Sequence, residues 1–76
     1  MGERPDLSLA VLLKRLREER EVTQEQLASD AGITSSALSR IERGLNNPRW
    51  TTLKRIAKAL EVSLVELARK IETDEE

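Results

Sequence analysis

The chain has 76 residues, with 13 Lys or Arg against 14 Asp or Glu, no cysteine and no histidine. That is one small domain, close to the size at which a hydrophobic core stops supporting itself. Without Cys or His there is no disulfide, no thiolate site, no ordinary zinc site and no imidazole base, which excludes most enzyme chemistry.

Apolar residues recur at helical spacing along the chain, and no stretch alternates with period two. The opening MGERPDLS lacks the charged-then-apolar layout of a secretory signal, and residues 1–7 are expected to be a flexible tail. Leu9, Leu12, Leu13 and Leu16 predict a first helix, opened by Asp6 or Ser8 and running to about Arg20. The longest apolar run, Leu9 to Leu13, is far too short to cross a bilayer. A cytoplasmic protein with no membrane partner is the expectation.

Thr23 opens a second helix, and Gln26 three positions on completes a capping box. Val22 and Leu27 form the hydrophobic staple around it. Gly32 marks a bend, since a residue without Cβ takes the left-handed backbone that a sharp turn between helices needs. Ile33, Thr34 and Leu38 repeat the staple and cap of a third helix, which Gly44 ends. Asn46, Asn47 and Pro48 form a loop. The fourth helix carries Leu53, Ile56, Ala57 and Leu60, with Trp50 just before it. Val62, Ser63 and Leu67 open a fifth helix, with Glu66 completing a second capping box. The helical domain is expected over residues 8–72, and 73–76 form an acidic, frayed tail.

The predicted core is Leu9, Leu13, Leu16, Val22, Leu27, Ala28, Ile33, Leu38, Ile41, Trp50, Leu53, Ile56, Ala57, Leu60, Val62 and Leu67. Trp50, the only aromatic residue, reads as a core plug. A base-stacking platform would interleave several aromatics with basic residues.

Charge is unevenly distributed. Between Thr34 and Lys58 six basic residues (Arg40, Arg43, Arg49, Lys54, Arg55 and Lys58) face one acid, Glu42. From Glu61 onward six acids face two bases. Uneven scatter on solvated helix faces gives the same pattern. The segment from Thr23 to Gly44 adds a second clue. It holds two short amphipathic helices about a glycine bend, and so short a pair buries little. It makes sense as a device for holding its second helix against something else, and the commonest such partner is the major groove of DNA.

Several segments together carry a family likeness: LLKRLREER and VTQEQLA, the bend AGIT, the run ALSRIERG, the NPRW loop and LKRIAKALEVSLVEL. They resemble the Cro/C1-type helix-turn-helix regulators of bacteria and phages over about Leu9 to Ile71. The resemblance implies an all-α, compact five-helix, lambda-repressor-like domain with the helix-turn-helix at helices two and three. Ala28 would sit where those helices approach closely. Thr34, Ser35, Ser36, Ser39 and Arg40 would face base edges. Arg40 can pair bidentately with guanine, with a phosphate contact or a plain surface position as its rivals. The serines select poorly alone and can equally be solvated. Gln24 would donate to a DNA phosphate beside a helix N-terminus, or simply be a solvated helix start. Arg43, Asn46, Asn47 and Arg49 would grip the backbone, though Asn46 and Asn47 also suit a turn before Pro48.

The resemblance also pairs Arg17 with Glu42. Buried, that pair would lock the reading helix to helix one; exposed, it would contribute little. Two positions depart from the family pattern. Glu21 and Glu61 stand where glycine is frequent and a left-handed backbone is favoured. Leu64, Ala68 and Ile71 on the fifth helix are expected to form a homodimer interface, or else to cover the monomer's own core. The expected partner is double-stranded DNA with a palindromic operator, bound by a transcriptional regulator, most simply a repressor. An antitoxin, a restriction–modification controller or a protein-interaction module are alternatives on the same scaffold. No nucleophile–base pair, metal cluster or phosphate loop is visible, so no cofactor and no small-molecule ligand are expected.

Overall fold

The computed structural model describes residues 7–74 and contains α1 (Leu7–Glu19), α2 (Gln24–Ala31), α3 (Ser35–Glu42), α4 (Trp50–Ala59) and α5 (Leu64–Asp74). Among the described residues there is no strand. Of the two candidate openings of α1, Asp6 lies outside the described residues, as do the first six residues and the last two.

Helix starts follow the local chemistry of their caps. The Thr23 hydroxyl accepts from Gln26 N (3.0 Å) and the Gln26 side chain accepts from Thr23 N (2.9 Å). Ser63 and Glu66 form the same reciprocal pair at 3.0 and 3.1 Å. Thr34 caps α3 by accepting from Ala37 N at 3.0 Å. Each arrangement satisfies amide groups that the first helical turn leaves without partners. α4 starts differently, with Arg49 at the cap position and no side-chain cap hydrogen bond.

Helix ends share one closure, used four times. Ile33 N reaches Ala28 O, Leu45 N reaches Arg40 O, Val62 N reaches Ala57 O and Val22 N reaches Arg17 O. Such a bond back across the last turn requires a left-handed residue just past the helix. Gly32 (φ 73°) and Gly44 (φ 74°) supply it without cost, while Glu21 (φ 57°) and Glu61 (φ 60°) supply it under strain. The two glutamates therefore keep the turn that glycine would make, at roughly 1 kcal/mol each.

α2 packs against both α3 and α4, α1 packs against α3 and α5, and α4 touches α5. The helix pair is thus supported from behind on two sides. Leu12, Leu13, Leu27, Leu38, Ile56 and Leu60 are the largest fully buried side chains. Leu12, which lies on the predicted helical stripe, belongs to this core, as do Ala10 and Ala31; the predicted core omits all three. α1 is covered by two neighbours at once, so more than one stripe of it is buried. Val22, Ile33, Leu53 and Val62 are half-buried against the core.

Trp50 is not the core plug that its hydrophobicity suggests. It is 63% exposed. As the first residue of α4 it sits at the edge of the domain. With Leu9 and Leu53 it rims an apolar groove whose other wall is Leu64, Leu67, Ala68 and Ile71 of α5.

Candidate nucleic-acid interface

α3 has two faces of opposite character. Leu38, Ile41 and Glu42 are buried, while Thr34, Ser35, Ser36 and Arg40 are exposed and Ser39 is half-buried. The inward face anchors the helix and leaves short hydroxyls and one guanidinium outside. The Thr34 oxygen accepts in its cap, and a hydroxyl carries a donor hydrogen besides.

The anchor is polar as well as apolar. Arg17 donates to Glu42 through Nε (2.8 Å) and Nη2 (3.1 Å), a bidentate pair. Arg17 Nη1 donates to Val22 O at 2.9 Å, which ties the same side chain to the start of α2. The side chains of Arg17 and Glu42 are 12% and 1% exposed, so the buried form of the pair is the one realised. The hydrogen bonds it donates to Glu42 hold the pKa of the Arg17 guanidinium above the ordinary arginine value, against burial, which pulls it down.

A third side chain completes the cluster. Gln24 Nε2 donates to Glu42 Oε1 at 2.9 Å. Its spacing of 18 residues from Glu42 carried no local signal. The only route to it from sequence was the recognition that Glu42 is buried and a carboxylate has more acceptor sites than one arginine fills. Arg17 and Gln24 thus join α1, α2 and α3 at a single carboxylate.

This cluster also sharpens the charge pattern. Glu42, the one acid in the basic middle segment, points inward and is neutralised. Arg40, Arg43, Arg49, Lys54, Arg55 and Lys58 are all exposed, so the outward charge of that segment is wholly positive. Arg43 occupies the cap position at the end of α3 and Arg49 that at the start of α4. Asn46 and Asn47 lie exposed in the loop between them. Among the described residues no group of His, Cys, Asp or Glu could hold a metal, and no helix is long and apolar enough to cross a membrane.

A family model described as a helix-turn-helix domain matches residues 8–69. The chain belongs to the Cro/C1-type helix-turn-helix transcriptional regulators. It is 47% identical over 53 residues to the HTH-type transcriptional regulator y4dJ of Sinorhizobium fredii, covering 70% of this chain and 69% of that protein. It is 42% identical over 52 residues to the immunity repressor protein of Bacillus phage phi105, covering 68% of this chain and 36% of the repressor. Among solved structures it resembles the wild-type restriction–modification controller protein C.Esp1396I, with a TM-score of 0.84 and 31% identity over 90% of this chain and 88% of that one. These relatives are regulators rather than enzymes.

Proposed function

We propose that the regulator binds double-stranded DNA sequence-specifically, with α3 in the major groove, and acts as a homodimer that represses by occlusion. The observation that carries this reading is the division of α3. One face is fixed by Leu38, Ile41 and the Arg17–Glu42–Gln24 cluster, and the other is bare and bordered by basic residues. A reading head needs both properties, since base discrimination depends on side chains held in place before contact. The likeness to a phage immunity repressor and to a controller protein supports regulation of a promoter.

In this reading Thr34, Ser35, Ser36, Ser39 and Arg40 face base edges, and Arg43, Asn47 and Arg49 contact the phosphate backbone. Gln24 keeps one amide hydrogen free after its bond to Glu42 and offers it to a phosphate, so it links the buried cluster to the DNA.

Two copies are needed because one short helix covers few base pairs. A two-fold axis would set two reading helices about 34 Å apart, on successive major grooves. The groove between α1, α4 and α5, with Leu64, Ala68 and Ile71 on one wall and Trp50 on the rim, is the surface assigned to the second copy.

Selection of bound sequences from a random DNA pool tests the reading. A palindromic consensus bound with steeply salt-dependent affinity is expected. No enriched sequence, or a salt-insensitive association with protein alone, would overturn it in favour of a protein-interaction module.

A further inference from the structure

We propose that Asn46 is a positioning residue for Arg40, holding its guanidinium for an end-on approach to a base; this rests on the DNA-reading role of α3. The arrangement follows from the end of α3. Gly44 takes the left-handed backbone, which turns the chain back so that Leu45 N closes on Arg40 O at 2.9 Å. That closure brings the next residue, Asn46, over the side chain of Arg40. Its amide has one orientation that pairs both ends: Nδ2 donates to Leu45 O at 2.7 Å and Oδ1 accepts from Arg40 Nε at 3.0 Å.

The consequence lies in how an arginine presents its donors. The guanidinium carries five N–H groups in a planar fork. With Nε–H held by Asn46, the side-on approach through Nε and Nη2 is closed. The two terminal nitrogens remain and present a parallel pair of donors that matches O6 and N7 of guanine. Asn46 also removes part of the rotamer freedom that a long exposed side chain would otherwise lose on contact. It therefore acts on specificity through Arg40 and not through a phosphate of its own, in contrast to its expected backbone-gripping role.

The test uses the full chain and the sequences selected by it. Asn46→Ala, Arg40→Ala and the double variant are each assayed for base preference at every position of the selected site. Asn46→Ala is expected to lower preference about three- to tenfold at the base pair where Arg40→Ala lowers it, the loss expected from freeing one immobilised side chain. Adding Asn46→Ala to Arg40→Ala should change nothing further. Asn46→Asp, which keeps the acceptor oxygen, should retain the preference. A uniform loss at all positions that adds to Arg40→Ala would mean a phosphate contact and would overturn the proposal, as would no change in preference. In the free protein, the Arg40 Nε–H resonance should shift and exchange faster in Asn46→Ala. An unaltered resonance refutes the hold on Arg40 even if the wild-type chain selects no DNA sequence, an outcome that would refute the DNA-reading role separately.

Discussion

Arg17→Ala tests the buried cluster most directly. Glu42 receives two hydrogen bonds from Arg17 and one from Gln24, with its side chain 1% exposed. Removing Arg17 deletes both charged bonds and the donor to Val22 O, and leaves the carboxylate with a neutral amide alone. Breaking a buried pair in this way costs about 3–5 kcal/mol. A domain of this length has a total stability of roughly 4–11 kcal/mol, so the loss is a large part of the whole. At about 4–8 °C per kcal/mol, the melting temperature should fall by at least about 12 °C. Thermal and urea unfolding followed by far-UV circular dichroism measures it. A fall of less than about 4 °C would place the pair among surface ion pairs and refute the reasoning. The double variant Arg17→Met with Glu42→Leu separates the charge from the space it fills. It should recover most of the lost stability, because apolar side chains of similar volume need no partner.

Three further outcomes follow from the same geometry. Glu21→Gly should raise stability by up to about 1 kcal/mol in urea titrations, since it relieves the left-handed strain; Gly32→Ala should lower it by about as much. Thr23→Ala and Thr34→Ala should each cost about 1 kcal/mol in the same titrations, because each removes an observed cap bond. Trp50→Ala should leave the melting temperature of dilute monomer nearly unchanged and shift sedimentation toward monomer. In the wild-type chain the fluorescence of this single tryptophan should shift to the blue as concentration rises through the dimerisation range, and a spectrum independent of concentration would count against the α5 interface.

Much of the local structure around the candidate interface is legible in the sequence. Thr23, Thr34 and Ser63 could be recognised as caps because a cap depends only on residues within one turn of it. Gly32 and Gly44 were readable for the same reason. Helical period alone places Leu38 and Ile41 on the buried face of α3. Arg17 and Glu42 were found through a family likeness, and their spacing by itself carried no such information.

Tertiary packing decided the rest. Ala10 is buried beside the stripe of Leu9, Leu12, Leu13 and Leu16 because α1 is covered by α3 and α5 together, which no periodicity within α1 can express. Trp50 is outside because its place at the first turn of α4 sets it on the rim of the domain, and hydrophobicity alone argued the reverse. Gln24 turns to Glu42 across 18 residues because burial leaves a carboxylate oxygen in need of a donor. Helix starts and stops are settled by bonds a few residues long and are written in the chain. Which side chains meet, and which stay in water, depends on how the helices stack, and that is a property of the whole assembled domain.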